Sequence, residues 1–157
     1  NSRIVKFSSA GEYLLEWGVF GENNNEFNIP HGLDLDKEGN VYVADRENNK
    51  IQKFDSLGNF IAEWKNEIIG QLYSVNVNND YLFGIDYIGY ENLIPLGSDI
   101  IKFDLDLNMK SKFGRSGNYN GPKARYHDIQ INNNGDIYVG DILNNTIQKF
   151  RQKKTLN

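Results

Sequence analysis

The residues of this chain whose types and spacing suggest chemistry are two histidines, an arginine and an aspartate. His31 and His127 are the only histidines, and they lie 96 residues apart. Each stands at the matching point of a short stretch patterned as a strand. Imidazole nitrogens are good zinc ligands, and three histidines around an open position form a catalytic zinc site. The same two residues also suit polar groups hydrogen-bonded to neighbouring loops, and spacing alone leaves both readings open. Arg46 follows the strand that ends in Ala44-Asp45. Its planar fork suits a ligand carboxylate held bidentately. It also reads as a turn residue paired with Glu47 or Asp45. Asp128 follows His127 directly. Side chains alternate along a strand, which predicts that Asp128 points away from His127. It then caps a turn or holds a hard cation such as Ca2+ from another direction.

The elements that must position these groups are written in a repeat. Phe27 to Phe54 reads as three short strands joined by two tight turns. Leu33 and Leu35 alternate with polar residues, Val41-Tyr42-Val43-Ala44 is a compact apolar run, and Ile51-Gln52-Lys53-Phe54 follows. The last run recurs as Ile4-Val5-Lys6-Phe7, Ile100-Ile101-Lys102-Phe103 and Ile147-Gln148-Lys149-Phe150, at spacings of 47, 49 and 47 residues. Gly39 to Asp45 returns as Gly135 to Asp141, with a weaker copy at Asp80 to Asp86. A period of about 40–50 residues with four strands per unit marks a β-propeller blade. The repeated Asp45, Asp86 and Asp141 read as turn-holding residues, because a residue that recurs in every blade serves the blade.

The histidines fall in alternate blades. In a ring of about six blades such positions are about 120° apart, and innermost strands converge on the axis. A third histidine two blades upstream would complete a three-fold set.

The fold class is therefore all-β, an incomplete portion of a β-propeller of about three to three and a half blades. Blade parts are expected at 1–18, 27–64, 70–113 and 126–150, with connectors at 18–26 and 114–125, a loop insertion at 87–97 and a basic tail from Arg151 to Lys154. All are expected to belong to the C-terminal part of a single propeller. Because the first residue is Asn1, the true N-terminus is expected to lie upstream. Nine tyrosines, nine phenylalanines and two tryptophans suit an all-β core. A net charge of −4 argues against nonspecific nucleic-acid binding. No stretch approaches the ~18 apolar residues of a membrane span. The absence of cysteine excludes disulfides, thiolate metal sites and a cysteine nucleophile within these residues. Asn144-Asn145-Thr146 forms an N-glycosylation sequon, relevant only to a secreted chain.

The motifs Asn1-Ser2-Arg3-Ile4-Val5-Lys6-Phe7, Ile29-Pro30-His31-Gly32-Leu33, Val43-Ala44-Asp45-Arg46-Glu47-Asn48 with Ile51-Gln52, and His127-Asp128-Ile129 with Asp136 to Asp141 resemble the peptidyl-α-hydroxyglycine α-amidating lyases. These are six-bladed NHL-repeat propellers, and the resemblance covers their C-terminal half. It implies cleavage of a peptide ending in α-hydroxyglycine to an α-amidated peptide and glyoxylate. It implies Zn2+ held by His31, His127 and a third histidine upstream, with Ca2+ bound by Asp128. It implies Arg46 in the active site beside the substrate, and a catalytic tyrosine just upstream of Asn1. It also implies a monooxygenase, fused upstream or separate, that supplies the hydroxylated peptide, and a secretory or extracellular setting. These 157 residues alone are then expected to be inactive. The alternative is a non-catalytic NHL propeller that binds a peptide or protein partner.

This chain departs from the family pattern in four places. Tyr126 replaces a proline before His127, and Arg125 replaces a methionine. Tyr42 and Lys53 replace both ends of a family disulfide.

Overall fold

The computed structural model describes residues 1–67 and 70–151. The basic tail beyond Arg151 lies outside the described residues. Among these residues there is no α-helix, and the strands gather into four main antiparallel sheets. The first sheet pairs Ile4–Phe7 with Tyr13–Trp17. The second is four-stranded in chain order, Pro30–Leu35, Val41–Asp45, Lys50–Phe54 and Phe60–Lys65. The third is also four-stranded, Gln71–Asn78, Tyr81–Tyr87, Asp99–Asp104 and Met109–Gly114. The fourth holds Tyr126–Ile131, Ile137–Asp141 and Thr146–Phe150. This is an arc of a β-propeller.

Two connectors carry more structure than the sequence suggests. Val19–Phe20 pairs in parallel with Glu26–Phe27. The insertion after Tyr87 folds into a small hairpin of Tyr90–Glu91 and Ile94–Pro95.

The turns explain the repeat. In Asp36-Lys37-Glu38-Gly39-Asn40 the Asp36 carboxylate accepts the backbone N–H of Glu38 and Asn40. Gly39 meanwhile adopts φ +83°, a conformation that costs glycine nothing. The same device recurs at Asp55 with Gly58 and at Asn132 with Gly135. The repeated aspartates at the strand ends are likewise buried anchors. Asp45 accepts from the Asn28 N–H and the Asn48 amide. Asp141 accepts from the Arg125 N–H and the amides of Asn144 and Gln148.

Apolar faces of adjacent sheets stack to form the core. Ile4, Phe27, Val43 and Phe54 fill the space between the first and second sheets. Tyr42, Ile51, Leu72, Leu82 and Phe103 fill the next. Tyr73, Ile85, Tyr126, Ile129 and Val139 fill the last. Tyr42 and Lys53, the two positions where the resemblance implies a disulfide in the family, are cross-strand partners. Lys53 donates to the Leu105 carbonyl at 2.9 Å, and the Tyr42 hydroxyl lies the same distance from it. Together they form a polar latch from the second sheet to the third.

The innermost strands, Pro30–Leu35, Gln71–Asn78 and Tyr126–Ile131, lie side by side. Polar side chains join them: Asp34 accepts from Asn76 and from the Val77 N–H, and Asn76 accepts from the Ile131 N–H. These strands frame the candidate site.

Candidate functional site

Each innermost strand carries one residue that its ladder skips. The register passes from Pro30 to Gly32 opposite Asp45 and Ala44, leaving out His31. It passes from Leu72 to Ser74 opposite Asp86 and Ile85, leaving out Tyr73. It passes from Tyr126 to Asp128 opposite Asp141 and Gly140, leaving out His127. A residue at a β-bulge is released from pairing and its side chain is re-aimed. Three successive bulges thus bring together residues far apart in the chain. The rings of His31 and His127 stand edge-on with centroids 5.1 Å apart, and the Tyr73 ring lies 5.1 Å from each.

The bulge also breaks strict alternation. Asp128 was expected to face away from His127, yet both line one cleft with His31, Asp34, Ser74 and Asn76. The cleft holds about 460 Å³, within the roughly 300–1,000 Å³ of small-ligand sites. A larger groove, about 570 Å³, runs between Tyr81, Phe113 and Phe150 at the far ends of the strands and contains no histidine.

The His31 ring is held by one hydrogen bond to the next blade. Its Nδ1 lies 2.7 Å from the Tyr73 carbonyl oxygen. A carbonyl only accepts, so Nδ1 carries a proton, and in the neutral tautomer this selects, Nε2 presents the lone pair. A backbone carbonyl fixing the tautomer in this way is the usual support of a metal-ligating histidine. His127 is held below the ordinary histidine range, first by burial, then by His31 and Arg125. Its neutral form, the one that can ligate, is favoured. With Zn–N bonds of about 2.0–2.1 Å and ring centres about 1.1 Å further out, two imidazoles on one tetrahedral zinc have centroids about 5 Å apart. The pair fits zinc as two ligands of a larger set. Among the described residues no three His, Cys, Asp or Glu gather around one point. Asp128 offers a single exposed carboxylate toward a cation. Its Oδ1 already accepts from the Ser74 hydroxyl at 2.8 Å and the Ile129 N–H.

Arg46 lies at the edge of the site with its guanidinium 5.5 Å from the Tyr73 ring centre. Its Nη2 and Nε both donate to Glu47 Oε1, at 2.7 and 2.8 Å. This is the turn-residue pairing that the sequence left open. Arg125 lies on another side of Tyr73. Its Nη2 donates to the Tyr73 hydroxyl at 2.6 Å, and its guanidinium packs 4.8 Å from the Tyr87 ring centre. That hydrogen bond leads the causes raising Arg125 above the ordinary arginine value.

Tyr73 escaped the sequence reading. His31 lies 14 residues before Asp45 and His127 lies 14 before Asp141, but Tyr73 lies 13 before Asp86. The third sheet turns tightly at Asn79-Asp80, with Asn79 at φ +50°. Counting back from the repeated aspartate therefore lands on Leu72.

Comparison with known proteins identifies relatives along the whole chain. The NHL repeat family matches residues 27–54. The chain is 31% identical, over 98% of its length, to peptidyl-glycine alpha-amidating monooxygenase A of Xenopus laevis. It is 30% identical, over 96% of its length, to peptidyl-alpha-hydroxyglycine alpha-amidating lyase 1 of Drosophila melanogaster. This chain is a relative of the amidating lyases. It spans 17% of the Xenopus protein and 31% of the Drosophila one. In fold it superposes with a TM-score of 0.66 and 18% identity on virginiamycin B lyase from Staphylococcus aureus, covering 98% of this chain and 50% of that one. The amidating-lyase relationship thus runs along the whole arc, and the NHL match falls on the blade that carries His31 and Arg46.

Proposed function

We propose that the chain supplies part of the active site of a lyase that cleaves peptidyl-α-hydroxyglycine into an α-amidated peptide and glyoxylate. The observation that carries this reading is the meeting of His31 and His127 at two bulges, with the His31 tautomer fixed by Tyr73. In this reading His31 and His127 hold Zn2+ together with a third ligand outside the chain. Bound there, the metal supplies a Lewis acid that lowers the pKa of a coordinated hydroxyl. Tyr73 holds His31 in orientation through its carbonyl and walls the cleft through its ring. The guanidiniums of Arg46 and Arg125 give the site a positive margin suited to a substrate ending in a carboxylate. Asp128 is the proposed Ca2+ carboxylate. By the resemblance, the base is a tyrosine upstream of Asn1. A monooxygenase that hydroxylates the peptide beforehand is the proposed partner, and the name of the Xenopus relative supports it. A secretory or extracellular setting belongs to the same proposal and rests on the resemblance alone.

The test is glyoxylate release from a peptidyl-α-hydroxyglycine by the intact protein, before and after zinc removal. Release that is lost with the metal and restored by it supports the reading. An intact protein that binds no zinc and releases no glyoxylate is instead a non-catalytic propeller.

A further inference from the structure

We propose that Glu47, Gln71 and the Tyr73 hydroxyl are positioning residues for Arg46: they hold one edge of its guanidinium so that the other edge is presented to the substrate's carboxylate. The substrate rests on the lyase reading; the held edge rests on the geometry.

A guanidinium carries five N–H donors in one fixed plane. In Arg46, Nε and Nη2 both donate to Glu47 Oε1, at 2.8 and 2.7 Å. That spends one edge of the plane. The edge formed by Nη1 and Nη2 bonds to no other protein group among the described residues. It is a fork that the two oxygens of a carboxylate can meet.

Glu47 cannot fix that edge alone. It is the next residue in the turn and is partly exposed, and exposed ion pairs are weak. The anchor is Gln71, on the innermost strand of the next blade, whose Nε2 donates to the same Glu47 oxygen at 2.8 Å. A carboxylate only accepts, so the Gln71 amide nitrogen faces Glu47 and its oxygen faces Tyr73. The Tyr73 hydroxyl therefore donates to Gln71 Oε1, at 2.9 Å. It accepts in turn from Arg125 Nη2 at 2.6 Å, because a guanidinium only donates. The two ends set the direction of every bond, and a chain with one direction strengthens its members. The Tyr73 ring, centred 5.5 Å from the Arg46 guanidinium, limits its swing.

Tyr73 also accepts from His31 Nδ1 through its carbonyl. One buried residue thus places both the histidine and the arginine. α-Hydroxyglycine carries its hydroxyl and its carboxylate on a single carbon. A site that grips both needs its two grips at a fixed spacing, and a small misplacement is costly. Tyr73 sets that spacing, by its backbone on one side and its hydroxyl on the other.

The test uses the intact protein, with N-acetylglycine as probe and its neutral primary amide as control, titrated by calorimetry. The wild type is expected to prefer the acid. Tyr73→Phe keeps the ring and the carbonyl. It should hold zinc within about 2-fold of wild type and bind N-acetylglycine about 10-fold more weakly. Its kcat/KM for glyoxylate release should fall with that affinity. Glu47→Ala and Gln71→Leu should show similar losses with the amide unchanged. Glu47→Gln keeps an acceptor for both partners and should recover most of the affinity. The deciding readout is non-additivity: in an Arg46→Met background, Glu47→Ala or Gln71→Leu should change N-acetylglycine affinity by less than about 2-fold. Losses as large in that background as in wild type would overturn the inference, as would wild-type affinity for N-acetylglycine in Tyr73→Phe or equal binding of acid and amide by the wild type. An intact protein that releases no glyoxylate but keeps this binding pattern would overturn the lyase reading alone.

Discussion

The Nδ1 of His31 lies 2.7 Å from the carbonyl oxygen of Tyr73, a residue of the next blade. That bond joins the candidate metal site to the packing between blades. The residue that fixes the imidazole is itself a bulge residue, and its ring touches both histidines. Anything that shifts one inner strand against the next must therefore disturb the histidine pair.

His31→Ala and His127→Ala in the intact protein should each abolish tight zinc binding and zinc-dependent glyoxylate release. Two of the three ligands of a catalytic site cannot be spared. Metal content measured after dialysis checks this directly. Stoichiometric zinc in either variant would remove that histidine from the ligand set.

Asp86 should titrate far from an ordinary aspartate. It is fully buried, and burial pushes its carboxyl up to about 6 while Lys112 and the Asp99 N–H pull it back. Between an unfolded value near 3.9 and about 6, the native state binds the extra proton. The group thus favours folding as pH falls through that window and costs stability above it. Carboxyl carbon NMR should place the midpoint near 6. The stability difference between wild type and Asp86→Asn should change most steeply there. A difference that stays flat from pH 4 to 7 would contradict the shift.

The blade fold was legible because each blade repeats the same local solutions: an aspartate turn with glycine in the left-handed region, an apolar strand, and a buried strand-end aspartate. The two histidines were legible because they are rare and fall on the repeat. What the sequence hid was the bulge. Period-two patterning assumes unbroken alternation, so it placed Asp128 on the far side of its strand from His127, whereas both line one cleft. Tyr73 was hidden by a one-residue shortening of its hairpin. Arg125 was visible as a departure from the family, but its link through Tyr73 and Gln71 to Glu47 depends on how three blades meet. That is a property of side-chain geometry across blades.

Asn144→Ala should destabilise the last blade by about 1–3 kcal/mol. The Asn144 amide nitrogen donates to the Lys123 carbonyl at 2.7 Å and to Asp141 Oδ2 at 2.6 Å. Asn48 plays the same part in the second sheet, bonding Gly21 and Asp45. Both amide hydrogens of Asn144 are used, and a glycan on that nitrogen would remove one. The folded protein produced in a secreting host is expected to carry no glycan there. Peptide mass spectrometry reads the occupancy, and denaturant titration reads the stability.

Gly32→Ala should damage the site without touching a ligand. Gly32 follows His31 on the innermost strand, where it crosses the next blade closely. A Cβ added there would stand 2.8 Å from the Ser74 Cα and 2.9 Å from the Tyr73 carbonyl oxygen. Both are backbone atoms, so no side chain can swing aside. The strands must separate, an overpacking cost of about 1–3 kcal/mol. The displaced oxygen is the one that holds His31 Nδ1. Loss of such a supporting bond typically costs a metal site about 10–100-fold in affinity. Gly32→Ala is therefore expected to lower both unfolding stability and zinc affinity, and to shift the His31 Nδ1–H resonance. Leu33→Ala, one residue along on the same strand and half exposed, should leave zinc affinity within about 2-fold. A Gly32→Ala variant that keeps wild-type zinc affinity and an unchanged Nδ1–H signal would show that the Tyr73 carbonyl does not govern the histidine.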